Sequence, residues 1–142
     1  MHSTANELNF GDGITAVQIR IARPTDRLDA VVAFYRDVLG LPELYRFAGH
    51  DGYHGVMIGL PGRTYHLEFT THRNGSDGTS PSRDYLLVFY VPDAGQLARA
   101  RQRLEALGHR WVTPESPYWI DKSVTFEDPD GWRIVLCQTA GI

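Results

Sequence analysis

The feature that most constrains this chain is a pattern of one strand, one helix and three strands that occurs twice. Apolar and polar side chains alternate with period two from Ile14 to Ala22, which is typical of a half-buried strand. Apolar residues then recur at helical spacing from Leu28 to Leu39, with Thr25 or Asp26 as the expected N-cap and Gly40 as the stop. The three strands predicted next are Glu43–Phe47, Val56–Leu60 and Tyr65–Thr71.

The second copy begins with a strand from Asp84 to Val91 and a helix that Asp93 caps and Gly108 ends. Its later strands are predicted at Arg110–Val112, Ser123–Glu127 and Trp132–Gln138. The distance in sequence from the first helix stop to the second is nearly the same as that from the first closing strand to the second. We therefore predict a duplicated βαβββ unit.

This duplication predicts one α+β domain over residues 14–142, preceded by a flexible polar leader over residues 1–13. Module one covers about 14–72 and module two about 83–138. Residues 73–82 contain no apolar side chain and are predicted to form an exposed linker.

Composition excludes several classes of function. A net charge of -3 and the lack of a dense Lys and Arg cluster argue against a nucleic-acid partner. The single cysteine, Cys137, excludes an internal disulfide and a cysteine-rich zinc site. No apolar run is long enough to span a membrane and the leader does not resemble a signal peptide, so we expect a cytoplasmic protein.

Three segments together resemble the vicinal oxygen chelate (VOC) superfamily, which includes glyoxalases, bleomycin resistance proteins and dioxygenases. They are FYRDVLGL (Phe34 to Leu41), LEFT (Leu67 to Thr70) and FEDPDGWRIVL (Phe126 to Leu136), in the order found in that family. The resemblance implies two tandem βαβββ modules that form a curled mixed sheet, with a concave cleft for a small molecule and helices on the convex side. It also implies a homodimer.

In metal-using members that resemble glyoxalases, four side chains on the concave face hold a divalent ion. Carried onto this chain by the resemblance, those positions fall on Ala16, Glu68, Leu86 and Val135. Only Glu68 can bind a metal, and one carboxylate cannot fill the coordination sphere of a divalent ion. We therefore predict no metal or other cofactor, and we do not expect glyoxalase I activity.

Period-two alternation sorts the strand residues into two faces without help from the family. His66, Glu68 and Thr70 share one face, on which Gln18, Arg20, Tyr90 and Arg133 are also expected. The other, convex face is expected to be apolar, through Val17, Ile19, Ile21, Leu87, Phe89, Trp132, Ile134 and Leu136.

Glu68 is open to three interpretations. It could move a proton in catalysis, with His66 as its partner; it could be a surviving metal ligand; or it could pair with Arg20 or Arg133 across the sheet. His66 and Glu68 could also belong to a rebuilt metal site, with His50 and His54 approaching from a glycine-rich loop.

Adjacent aromatic residues at Tyr118 and Trp119 follow two prolines and are candidates for stacking on a flat ligand. Trp119 could equally fill the core between the modules. The predicted ligand-binding residues are Gln18, Arg20, Tyr53, His54, Tyr90, Tyr118, Trp119 and Arg133, with Glu68 and His66 as candidate catalytic residues.

Two functions remain after these steps. The first is metal-independent binding of a small organic ligand, possible partners being planar aromatic molecules such as antibiotics. The second is a VOC-type lyase or isomerase reaction in which Glu68 and His66 transfer protons, with or without a divalent ion at a rebuilt site.

Overall fold

The computed structural model describes residues 8–142, which divide into two compact units at the junction of Asp77 and Gly78. This junction falls within the segment predicted as a linker. Each unit contains one run of strand, helix and three strands, so the α+β fold with two tandem βαβββ modules is confirmed. No helix in the described part of the chain is long and apolar enough to cross a membrane.

The first unit opens with a hairpin that the sequence pattern did not predict. Strand β1 (Leu8–Phe10) pairs antiparallel with β2 (Ile14–Ala16). The predicted leader, residues 1–13, therefore contains a strand, and residues 1–7 lie outside the described part. The predicted strand over Ile14 to Ala22 is interrupted at Val17 and Gln18, and it resumes as β3 (Ile19–Pro24).

The first helix begins as α1 (Leu28–Val32) and continues as a π-helical segment over Ala33–Val38. Its wider turn is seen in the bond from the Leu39 amide to the Phe34 carbonyl, which spans five residues. The expected N-cap is wrong: the helix has no side-chain cap, because Thr25 Oγ1 accepts from the Arg27 amide and Asp26 accepts from the Ser76 amide.

The first sheet has the order β3, β6, β5, β4, with β4 at Glu43–His50, β5 at Tyr53–Gly59 and β6 at Tyr65–His72. Strand β3 is parallel to β6, whereas β4, β5 and β6 are antiparallel neighbours. The helix packs on β5 and β6, and Tyr35 stacks on Phe69 at a ring distance of 4.8 Å.

One part of the predicted apolar face is not buried. Ile19 and Ile21 point to the same side as Phe69, yet both are about half exposed, and Val17 lies outside β3 and is exposed. The reason is that β3 is the edge strand, while the helix covers the neighbouring β6 and β5.

The second unit has the order β7, β10, β9, β8 in its sheet. Its elements are β7 (Leu86–Tyr90), α2 (Ala94–Ala106), β8 (Trp111–Val112), a 3₁₀ turn (Pro117–Trp119), β9 (Ser123–Glu127) and β10 (Arg133–Cys137). Asp93 caps α2 as predicted, because its carboxylate accepts a hydrogen bond from the Gln96 amide. Strand β10 lies inside the second sheet, between β7 and β9, and every one of its residues is buried.

A tight turn connects the last two strands. The Gly131 amide donates to the Asp128 carbonyl, and the Asp128 carboxylate accepts from the amides of Asp130 and Trp132. Gly131 has a φ of 81°, a conformation that glycine adopts without a steric penalty. This confirms that the DPDG sequence is a hairpin entry to the last strand.

Candidate functional site

The strand pairing of the first unit places three predicted site residues side by side. Opposite residues of neighbouring strands project to the same face of a sheet, and Arg20 lies opposite His66 while Ala22 lies opposite Glu68. On the other side of β6, Gly59 is opposite His66 and Met57 is opposite Glu68. We call Arg20, His66 and Glu68 the Arg20 cluster.

Arg20 contacts both other members of the Arg20 cluster. Its Nε donates to His66 Nε2 at 3.0 Å, and its Nη1 lies 3.5 Å from Glu68 Oε2. Its Nη2 lies 3.6 Å from Met57 Sδ. Of the roles considered for Glu68, pairing with Arg20 is therefore seen in the structure.

The Arg20 cluster is buried at its histidine and carboxylate ends and open at the guanidinium. His66 is 4% exposed and Glu68 is 9% exposed, whereas the side chain of Arg20 is about half exposed. Because a guanidinium can only donate, His66 Nε2 is the acceptor in its hydrogen bond with Arg20. Within the described residues, no hydrogen bond joins His66 directly to Glu68.

The other predicted residues of the first unit are not in the Arg20 cluster. Gln18 lies in the exposed break before β3. Tyr53 is on the same face as Glu68 but at the end of the strand, where its ring packs edge-on against His72 at 4.6 Å. His54 faces the opposite side, and its Nδ1 accepts from the Gly49 amide at 3.1 Å. His50 is exposed beside Asp51.

No group of three or more His, Cys, Asp or Glu side chains stands close enough to hold a metal ion in residues 8–142. The position carried over as the first-strand ligand, Ala16, pairs with Leu8 in the hairpin and lies outside the β3–β6 ladder. The residues directly beside Glu68 are Ala22 and Met57, neither of which supplies the nitrogen or oxygen ligand that the usual divalent ions prefer.

In the second unit, Arg133 and Tyr90 share one face of the sheet, as the alternation predicted. Arg133 is 5% exposed; its Nη1 donates to the Thr113 carbonyl at 3.0 Å. Its Nε lies 3.5 Å from Glu127 Oε2 but makes no hydrogen bond. At that distance the two charges attract each other as an ion pair, although the geometry of a hydrogen bond is not met.

A cleft of about 320 Å³ opens beside β8 and β9 of the second unit. Trp119 lies on its wall and is partly buried, while its neighbour Tyr118 is 80% exposed and meets the Trp119 ring edge-on at 4.8 Å. Sequence reasoning selected Trp119 but missed the rest of the lining, including Arg101, Trp111 and Thr125. Alternation along β9 could have shown that Thr125 shares a face with Glu127 and Ser123.

The chain is similar to known proteins over most of its length. Residues 19–70 match the YycE-like N-terminal domain, and residues 84–138 match the YycE-like C-terminal domain. The chain is 51% identical to YycE of Bacillus subtilis over 89% of its own length and 91% of the relative. The crystal structure of a YycE protein of unknown function from Bacillus subtilis, also 51% identical, has a TM-score of 0.84 over 88% of this chain and 91% of that chain.

More distant solved structures share the fold. TnmS3, an antibiotic binding protein from Streptomyces sp. CB03234, is 22% identical with a TM-score of 0.64, over 92% of this chain and 100% of its own. Glyoxalase I of Leishmania major is 20% identical with a TM-score of 0.66, over 83% of each chain. The predicted VOC resemblance is confirmed, and the chain belongs to the YycE-like family within that fold.

Proposed function

We propose that this protein binds a small organic molecule without the divalent metal of the metal-using VOC proteins. The observation that carries the proposal is the Arg20 cluster, in which a guanidinium contacts both the one retained acidic position, Glu68, and the neighbouring His66. Of the other positions carried over by the resemblance, Leu86 and Val135 have no ligand atom, and Ala16 lies in the hairpin outside the β3–β6 ladder.

A metal at Glu68 would have to displace Arg20. The ion would need the carboxylate oxygen that lies 3.5 Å from Arg20 Nη1, and it would meet a fixed positive charge at short range. His66 Nε2 is also engaged by Arg20 Nε. With Ala22 and Met57 as the nearest sheet neighbours, waters would have to supply most of the remaining ligands.

Polar groups amid apolar walls are what a site for an organic molecule requires. The half-exposed guanidinium of Arg20 can donate to a ligand oxygen, and the ring of Tyr53, on the same face of the first sheet, is partly exposed and available for stacking. The fold shared with an antibiotic binding protein makes planar antibiotics a reasonable first set of ligands to test.

The second candidate function is a lyase or isomerase reaction in which Glu68 moves a proton. It is favoured by one observation: Glu68 and His66 are both buried on one face, two residues apart, next to a positive charge that can stabilise an oxyanion. Under this alternative a ligand would be consumed rather than only retained.

A ligand panel in the presence of a chelator separates these functions. Planar aromatic compounds and antibiotics are screened by thermal shift and tryptophan quenching with EDTA present, and each binder is recovered and analysed by mass spectrometry. We expect saturable binding with EDTA, weakened by Arg20→Ala and not by the matched surface change Arg99→Gln, and recovery of the ligand unchanged. Binding that EDTA abolishes contradicts the proposal; conversion of the ligand that Glu68→Gln prevents supports the second candidate instead.

We also propose that the protein is a homodimer, as the family resemblance implies. The half-exposed Ile19 and Ile21 on edge strand β3 offer apolar area that a second copy can cover. Light scattering coupled to size exclusion tests this, and a monomer across the accessible concentration range contradicts it.

A further inference from the structure

The cleft beside β8 and β9 has two indole walls. Trp111 and Trp119 both line it, together with apolar side chains of Val112, Pro114, Ile120 and Val124. Its volume of about 320 Å³ lies at the lower end of the range of roughly 300–1,000 Å³ found for ligand sites. Space of this size lined by two aromatic side chains suits a molecule of one or two fused rings.

The Trp119 side of the cleft is held in place by local hydrogen bonds. The Ser123 hydroxyl donates to the Trp119 carbonyl, and Ser116 Oγ accepts from the Tyr118 amide at 3.4 Å. Pro117 fixes the first residue of the 3₁₀ turn. A wall fixed in this way loses little conformational entropy when a ligand binds.

One buried polar atom in the lining has no partner. Thr125 is 1% exposed, and its Oγ1 makes no hydrogen bond in the described structure. A hydroxyl left unsatisfied in this way carries a free-energy cost to the fold. Because the oxygen itself is buried, a ligand in the open cleft would not contact it.

The charged side chain in the lining of the cleft is that of Arg101. Its guanidinium carbon lies 5.8 Å from the centre of the Trp111 ring, and its Nε lies 3.0 Å from Glu105 Oε1. That ion pair is exposed and spans one helical turn, so it contributes little and a ligand anion can compete with it.

We infer that this cleft binds a planar aromatic anion, with its ring beside Trp111 and Trp119 and its charge at Arg101. The inference rests on the proposed function in one respect, that the ligand is organic and needs no metal. It adds a second site, made of different residues from the Arg20 cluster and formed entirely by the second unit, and the charge of the ligand that binds there.

The test uses two fluorescent probes with the same rings and different charges. One is 1-anilinonaphthalene-8-sulfonate, an anion, and the other is N-phenyl-1-naphthylamine, which is neutral. Each is titrated into the full chain with EDTA present, using wild type, Arg101→Gln, Arg99→Gln and Trp119→Leu. Arg99→Gln is the matched control, since it removes the same charge from the same helix at a residue outside the lining.

We expect the anionic probe to bind at one site and to lose affinity about tenfold in Arg101→Gln, with less than about a twofold change in Arg99→Gln. The neutral probe should respond to Arg101→Gln by less than about twofold. Trp119→Leu should weaken both probes by about three- to tenfold, and Trp119→Phe should restore binding if the leucine variant is poorly folded by its thermal melt.

Equal affinity for the two probes, or an equal loss in Arg101→Gln and Arg99→Gln, would overturn the inference. If neither probe binds while other compounds bind with EDTA present, the cleft inference fails and the proposed function stands. If binding of the other compounds requires a metal at Glu68, the proposed function fails while the comparison of Arg101 with Arg99 still decides the inference about the cleft.

Discussion

Two buried threonines provide a test in which the same substitution should have opposite effects on stability. Thr125 is 1% exposed and its Oγ1 has no hydrogen-bond partner, whereas Thr25 is 0% exposed and its Oγ1 accepts from the Arg27 amide at 2.9 Å. Valine has the shape of threonine, with a methyl group in place of the hydroxyl. The substitution therefore isolates the hydrogen-bonding state of one oxygen.

At Thr125, valine removes an unsatisfied hydroxyl whose burial costs about 1–3 kcal/mol. It also buries one more methyl group, which contributes about 0.8 kcal/mol. After allowing for small packing differences, we expect Thr125→Val to raise the free energy of unfolding by about 1–2 kcal/mol, and the melting temperature by about 3–6 °C for a domain of this size.

At Thr25, valine removes the acceptor of the Arg27 amide in the turn that precedes α1. A hydrogen bond of this kind contributes about 0.5–1.5 kcal/mol, so Thr25→Val should lower the free energy of unfolding by that amount. Urea unfolding followed by circular dichroism measures both variants, provided that the slope of the transition is unchanged.

Loss of more than about 0.5 kcal/mol in Thr125→Val would refute the reasoning, because it would show that the hydroxyl is satisfied in solution. A neutral effect at Thr25 would refute the companion prediction alone.

Two further predictions concern the first unit. The hydrogen bond from Arg46 holds the pKa of Glu43 below its ordinary value of 4.5, so the stability that this pair contributes is present above pH 4.5 and is lost as the pH falls through the lowered pKa. NMR titration of the Glu43 carboxyl should show the low pKa, and Arg46→Gln should move that pKa back towards 4.5. An unchanged pKa in the variant would exclude the pairing as the cause. Gly55→Ala should lower the free energy of unfolding by about 1–3 kcal/mol in a denaturation experiment, because the added Cβ would meet the ring of Phe47; an unchanged midpoint would show that this ring moves freely.

The strands and helices were predictable where the periodicity of the side chains was strong. The predicted order is confirmed in both units, and Ser123–Glu127 has the predicted bounds. Alternation also placed Arg20, His66 and Glu68 on one face, as the pairing of β3 with β6 confirms. The reason is physical: with a period of two, one correctly placed strand residue determines the side of all the others.

The interruption at Val17 and Gln18 was not predictable from that pattern. The alternation runs through it without a break, and what ends the strand is a pairing of Ile14–Ala16 with Leu8–Phe10. The exposure of Ile19 and Ile21 has a similar origin, because it depends on which strands the helix covers. Both depend on tertiary placement, which local sequence does not encode.

The candidate site was predictable in its residue types and not in its contacts. The sequence left Glu68 with several possible roles, and the choice of Arg20 over Arg133 as its partner depends on strand order. The cleft beside Trp119 could not be predicted either, because its lining comes from elements that are separate in the sequence: Arg101 lies on α2 and Thr125 on β9.

The most direct test of the account is calorimetric titration of the metal-free protein with Zn²⁺ and Mn²⁺ at neutral pH, beside Glu68→Gln and the matched carboxylate change Glu115→Gln. The account predicts no stoichiometric tight binding of metal in any of the three proteins. Arg20 already contacts Glu68 and His66, and the side chains beside Glu68, Ala22 and Met57, supply no nitrogen or oxygen ligand. Tight binding of one ion per chain that Glu68→Gln abolishes and Glu115→Gln leaves intact would contradict it.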